Sequence, residues 1–191
     1  MAISYAMQPD DDFVSRVRAG DEEAFDALVR EHYNALCVFA SRMMGSNAAA
    51  EEIVQDVLLR IWQQRAEWEV RSSVAAYLYG GVRNRSLEYM RRERFFHRWR
   101  QQVVESSDPS EGSTRGDEAY QNLRVSELTK ALDKAIDELP PRCKQVFVLR
   151  RQHHLSTVEV AKVMGIAPKT VEIQVGIALK TLRKKLAHLL T

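Results

Sequence analysis

The sequence predicts an all-α protein: two small helical domains joined by a flexible linker, the second carrying a helix-turn-helix. Three observations predict it. Helix-favouring residues dominate nearly every segment while glycine (8) and proline (5) are scarce. Apolar residues recur at helical spacing, and long period-2 strand patterns are missing. Residues 100–118, containing QVVESSDPSEGSTRGDE, are rich in Ser, Gly, Pro, Asp and Glu without apolar periodicity, and so divide the chain.

The elements follow in order. From Asp21 to about Met44, Phe25, Leu28, Val29, Leu36, Phe39 and Ala40 fall on one helical face, and Gly45 ends the run. Ser46 or Asn47 can cap a second helix, which buries Ile53, Val54, Val57, Leu58 and Ile61 and reaches about Trp62. The polar segment QQRAEWEVRSS reads as a loop. Ser72 and Ser73 can cap a third helix running to about Trp99, with Val74, Leu78, Gly81, Val82 and Tyr89 inward. The first domain is therefore 1–99, the linker 100–118 and the second domain 119–191. That second domain holds helices at roughly 119–138, 141–151, 156–164 and 168–190, with Leu139-Pro140-Pro141 marking a boundary.

The net charge of +2 hides a strong division. Residues 1–70 carry 6 basic and 13 acidic side chains, net −7, and residues 71–104 carry 8 and 2, net +6. Residues 105–138 carry 4 and 9, net −5, and residues 139–191 carry 10 and 2, net +8. Two basic blocks beside acidic ones suggest two polyanion-binding surfaces. The start, MAISYAMQPDDDF, lacks a signal-peptide pattern, and no run of about 18 apolar residues occurs, so a soluble cytoplasmic protein without membrane insertion is expected. Cys37 and Cys143 sit apart in apolar patterns without metal-type spacing.

The clearest local signal is LSTVEVAKVMGIAPKTVEIQVGIALKTLRKKL, Leu155 to Leu186. Ser156 and Glu159 form a capping box, Ala161 is small where helices would cross, Gly165 supplies the tight turn, and Pro168 suits a first helical turn. Val171, Val175, Leu179, Leu182 and Leu186 make the buried stripe of the last helix. Its outward face would enter a major groove, with Lys169, Thr170 and Lys180 near phosphates and Glu172, Ile173 and Gly176 near base edges; the exposed apolar Ile173 and Ile177 could instead mark a protein interface.

The other basic block lies on the third helix, where Ser73, Arg83, Arg91, Arg94 and Arg98 point away from the inward face and Asn84 and Glu88 lie at the boundary. Arginines with amide and aromatic neighbours suit an opened DNA strand. Trp62 and Tyr77 fit the core better than a base platform, whereas Trp68 stands in the loop-like segment. Across AEEIVQDVLLRIW the polar face shows Glu51, Glu52, Gln55 and Asp56; Glu52 and Asp56 repel at i,i+4, and Arg60 can offset the cost.

AEEIVQDVLLRIW, a short loop, VAAYLYGGVRNRSLEYMRR, a linker, LPPRCKQVFVLR and the helix-turn-helix, in that order, resemble an extracytoplasmic-function sigma factor of the sigma-70 family over nearly the whole chain. The resemblance implies a transcription initiation factor that binds core RNA polymerase and recognises minus-10 and minus-35 promoter DNA. It implies that the helix at 50–62 binds the polymerase clamp through Glu51, Glu52, Gln55 and Asp56. It also implies that residues 66–94 melt and read the minus-10 element, with Trp68, Arg71, Ser73, Asn84, Glu88, Arg91 and Arg92 as the DNA-binding set. The last helix would read the minus-35 element through Lys169, Thr170, Glu172, Ile173, Gly176, Ile177 and Lys180. An anti-sigma factor is the further partner such proteins usually have. Ile177 stands where the family usually has Arg or Lys, Ala167 where it has Ser or Asn, and Thr157 where an aromatic residue is common.

A stand-alone helix-turn-helix regulator would explain residues 155–186 but not the basic third helix. No Gly-rich phosphate loop, HExxH or Ser-centred elbow points to an enzyme, and the adjacent pair His153-His154 makes a poor metal site, so no catalytic residue, metal, cofactor or small-molecule ligand is expected. About 20 linker residues relax to roughly 25 Å. Promoter elements nearly two helical turns apart would lie about 60–70 Å from one another. A free chain is therefore expected to be compact, its opposed charge blocks able to pair.

Overall fold

A computed structural model describes residues 9–104 and 127–187. Among them are helices α1 (Pro9–Arg18), α2 (Glu22–Met44), α3 (Asn47–Gln63), α4 (Val74–Val104), α5 (Glu127–Asp137), α6 (Pro141–Arg151), α7 (Thr157–Met164) and α8 (Pro168–Leu186), with a 3-10 turn at Arg65–Glu67 and no strand. The all-α reading holds.

Local chemistry sets most boundaries. Asp21 accepts from the Ala24 amide at the start of α2 and pairs with Arg16 at 2.8 Å; both bonds hold its carboxyl below the usual range. Gly45, at φ 74°, closes the other end in the left-handed conformation. Ser46 caps α3 through the Ala49 amide. Helix α1 was not foreseen. Proline at its first position and the acids Asp10, Asp11 and Asp12 in its first turn favour it, and Val14 and Val17 bury it against the body. Helix α4 runs past the expected Trp99 to Val104, so residues 100–104 of the expected linker are helical. The rest of that linker, residues 119–126 of the next expected helix and residues 188–190 of the last one lie outside the described residues.

Helices α2, α3 and α4 pack around Leu28, Leu36, Phe39, Val54, Ile61, Leu78, Tyr79 and Val82, all nearly sealed from solvent. Each such side chain contributes about 1.5–3 kcal/mol. At Gly81 the helices approach so closely that a Cβ would sit 3.3 Å from Val57. In the second unit Ile136, Val146, Leu149, Val160, Val171, Ala178 and Leu182 are buried among α5 to α8, while Val175, Leu179 and Leu186 of the expected stripe pack from the edge. The apolar core continues without a break from α1 into α8.

The join rests on specific contacts. His153 stacks on Tyr79 at 4.4 Å between ring centroids, and the Tyr79 hydroxyl lies 2.7 Å from His153 Nδ1. Arg42 of α2 reaches Asp133 at 3.2 Å, Asp137 at 3.7 Å and the Gln152 amide oxygen at 3.0 Å. His153 and His154 do not continue α6 as a helix; they form the turn after it, with His154 at φ 55°.

Candidate nucleic-acid interface

The turn between α7 and α8 has the expected chemistry. Ser156 accepts from the Glu159 amide, and the Glu159 carboxylate accepts in return from the Ser156 amide at 2.8 Å. Gly165, at φ 63°, turns the chain, and Pro168 starts α8 after Ala167, which offers no side-chain cap. Lys169, Glu172, Ile173, Gly176, Ile177 and Lys180 are all exposed on one outward face, with Thr170 half-buried beside them. Lys169 pairs with Glu172 at 3.0 Å. A groove could take this face directly.

The α4 residues are placed differently. Asn84, Arg91 and Arg92 are exposed, and Glu88 is exposed but ion-paired with Arg85 at 3.1 Å. Arg71 is exposed and pairs with Glu69 at 3.3 Å. Ser73 is not free. Its hydroxyl caps α4 through the Ala76 amide and donates to the carboxylate of Glu159 from α7, which also accepts from the Ser73 amide at 3.3 Å. Burial raises the pKa of Glu159, but the hydrogen bonds from Ser73 and Ser156 outweigh it and hold the carboxyl below its usual value.

Two expectations need correction. Trp68 is only 3% exposed and set edge-on against Tyr77 at 5.9 Å, so it belongs to the core and is not the open loop residue that its segment suggests. Arg83 is half-buried; burial and then the nearby Arg142 lower its pKa, so it is not an outward phosphate contact. For Arg83 the cause is Arg142, distant in sequence, beside a face that helical spacing alone leaves open; for Trp68 it is the loop itself folding its ring against Tyr77 of α4.

Between α3, the 3-10 turn and α4 lies a cavity of about 600 Å3. Trp68, Tyr77, Gly80 and Asn84 line it, and Lys162 and Val163 of α7 close one side. Spacing did not single out Gly80 or Arg85. Arg85 ties α4 to α3 through Asp56 at 2.6 Å, and Arg60 supports the same carboxylate at 3.7 Å, as expected. Along α3, Glu52 is exposed, Glu51 half-buried, and Gln55 donates to the Tyr33 hydroxyl at 3.2 Å. Asp56 thus joins two helices and is not a free acid. Trp62 packs on Phe25 at 4.9 Å with Arg65 over its ring.

No described helix is long and apolar enough to cross a membrane. No group of His, Cys, Asp and Glu among the described residues could hold a metal.

Residues 28–96 match the family model for Sigma-70 region 2, and residues 129–182 match that for Sigma-70 region 4, together more than half of the chain. The chain is 29% identical over 177 residues to the ECF RNA polymerase sigma factor SigL of Mycobacterium tuberculosis, covering 92% of this chain and 96% of that one. It is 24% identical over 183 residues to the ECF RNA polymerase sigma factor SigW of Bacillus subtilis, again covering 92% and 96%. Its fold resembles the sigma factor RpoE of Bartonella quintana in complex with the anti-sigma factor NepR (TM-score 0.59, 24% identity, 85% of this chain and 96% of that one). It also resembles CnrH in complex with the cytosolic domain of CnrY (TM-score 0.61, 21% identity, 95% and 99%).

Proposed function

We propose, from the premise that the chain belongs to the sigma-70 family of RNA polymerase sigma factors and to its extracytoplasmic-function group, a division of labour among its residues. The protein binds core RNA polymerase and directs it to promoters; the stand-alone regulator has no use for a region 2 unit. Residues 1–99 engage polymerase and the minus-10 element, and residues 119–191 engage the minus-35 element. On α8, Lys169, Thr170 and Lys180 position the helix on phosphates, Glu172, Ile173 and Gly176 meet base edges, and Ile177 lies on the same DNA-facing side. On and before α4, Arg71, Ser73, Asn84, Glu88, Arg91 and Arg92 meet the minus-10 strand, with Trp68 as the support behind them. Glu51, Glu52, Gln55 and Asp56 of α3 face the polymerase clamp.

The observation that carries this reading is that one chain holds two separate basic helices, one on an open helix-turn-helix face and one beside a cavity lined by an aromatic ring and an exposed amide. A cavity of that kind can hold a base that has left the stack. The protein acts as a non-catalytic, cofactor-independent factor in the cytoplasm. An anti-sigma partner follows by extension from the RpoE complex with NepR. The test is reconstitution with core polymerase followed by mapping of transcript starts. Co-elution with core and one shared pair of promoter elements are expected, and failure to co-elute overturns the reading.

A further inference from the structure

Helix α8 packs inward through Val171, Ala178 and Leu182. At about 100° per residue, Lys169, Ile173, Gly176 and Lys180 lie roughly 140–200° round from that line, and Ile177 about 240°. Ile173 is 53% exposed and Ile177 44%, so two branched aliphatic side chains stand in solvent one turn apart. Gly176 lies between them. A Cβ added there would meet nothing within 4 Å, so packing within the chain does not demand glycine, although glycine inside a helix is destabilising relative to alanine. The acid beside them, Glu172, is paired with Lys169 at 3.0 Å. The exposed residues from Glu172 to Ile177 include no cation, amide or hydroxyl.

We infer that Ile173 and Ile177, with Gly176 between them, select thymine in the minus-35 duplex by packing on its C5-methyl groups. The inference rests on the assignment of α8 to that element and deepens it by naming the base chemistry the helix reads. In the major groove thymine alone presents a methyl group, and the other readable positions on the base edges are donors and acceptors. An aliphatic side chain gains from the methyl but leaves a facing donor or acceptor without a partner, so the same two residues disfavour pairs that lack thymine. The missing side chain at Gly176 lets the base edges approach the helix backbone, within reach of the short isoleucines. Ile173 and Ile177 are about 6 Å apart along the helix axis, in keeping with two thymines one or two base-pair steps apart. Charge fixes duplex DNA as the occupant: exposed Lys169 and Lys180 bracket the pair, and the last turn adds Arg183, Lys184 and Lys185.

The test uses holoenzyme formed from the full chain and core polymerase. A promoter found by transcript-start mapping supplies the duplex, and its minus-35 segment is randomised and selected by binding. The enriched duplex is then synthesised with deoxyuridine in place of each thymidine in turn, which removes one methyl group and keeps every hydrogen bond. Two thymines one or two steps apart should be enriched, and uracil at either should weaken binding about three- to fourfold, the worth of one buried methyl-sized group. Ile173→Ala should abolish the response to one of these uracils and Ile177→Ala the response to the other. Both positions are exposed and alanine is the best helix former, so the fold is kept. Ile177→Arg should exchange one thymine for guanine in the selected sequence. Enriched sequences without thymine there, uracil that binds like thymine, or a uracil response that survives both alanine substitutions overturns the inference. So does weaker holoenzyme assembly by I173A/I177A with the uracil response intact, the result expected if the isoleucines face a protein. The variant K169A/K180A separates the inference from the assignment beneath it. Lost duplex affinity in that variant with a silent uracil removes only the thymine contact, whereas unchanged affinity for the minus-35 segment means that α8 does not meet the DNA, and both fall.

Discussion

Helices α4 and α8 carry the same chemistry and present it differently. The outward face of α8 is open from Lys169 to Lys180. The first half of α4 is covered by the other unit: Glu159 holds Ser73, Lys162 and Val163 close one side of the cavity, and Arg83 lies half-buried near Arg142. The free chain thus leaves the face of α8 open but holds Ser73 and Trp68, at the approach to α4, in internal contacts, while Asn84, Arg91 and Arg92 stay exposed. The cover is not optimised throughout, since the ion pairs of Arg42 favour it while Arg83 and Arg142 repel across it. A contact so divided in sign can hold the free chain together and still yield to a larger partner.

The strongest way to break this comparison is to ask whether the two surfaces work together without polymerase. The free protein is expected to bind a promoter with both elements little better than one with a single element. The polymerase-bound form should gain at least about a hundredfold from the second element, because spacing the units makes that contact intramolecular. Titrations on promoters with neither, one or both elements would show it, and strong synergy in the free chain would count against the covered state.

Acid should open the cover. Burial, then the charges of Arg42, His154 and His32, push the His153 pKa down from 6.5 to about 4. Neutral His153 therefore favours the stacked contact fully above pH 6.5, and the contribution is lost as the pH falls toward 4. By about pH 5 a large part of that contribution is gone. The carboxylate of Glu159, held below its usual value, resists protonation until lower pH and then fails in the same direction. Energy transfer between labels on exposed Gln63 and Arg183 should drop between about pH 8 and about pH 5, and His153→Gln should flatten the change.

On the open side, replacing Lys169 and Lys180 with alanine should weaken minus-35 duplex binding about tenfold and reduce the salt slope by up to about two, with sequence preference retained. Substituting Glu172 or Ile173 should alter which sequences are preferred. Equal loss on all sequences from both kinds of variant would mean that α8 is oriented differently.

The smallest effect sharpens the assignment of α3. Glu52→Lys should weaken core polymerase binding several-fold without changing the melting temperature, since the residue is exposed and makes no ion pair with a described residue. Asp56→Lys should weaken binding too but also lower stability by up to about 1 kcal/mol, because it abandons Arg85 and Arg60 at a half-exposed site. Unchanged affinity in the double variant would reduce the acidic face to solvation.

What could be read in the sequence was local. Ser46, the Ser156/Glu159 box, Gly45, Gly165 and Pro168 fix their helix ends through neighbours within four residues, and the exposed face of α8 followed from spacing alone. Contacts across long sequence separations were not legible. Nothing near Ser73 announces that a carboxylate 86 residues away will hold it, and nothing near Trp68 announces that its loop is drawn into the core. Arg85 looked like one more cation of a basic helix until α3 packed beside it. Helix α1 escaped notice because its three aspartates read as a polar start and its buried face amounts to Val14 and Val17.

The unbroken apolar core bears on how the molecule comes apart. Because buried side chains run continuously from one unit into the next, the amides of α4 and α7 are expected to share one opening reaction in the free chain and to exchange with deuterium at a common rate. If polymerase separates the units, as the proposed function implies, that reaction would divide in two, and each half would rest on a smaller apolar interior with a lower opening free energy. The engaged protein would in this sense be the locally weaker one, and the binding energy of its partners would supply what the shared interior no longer does.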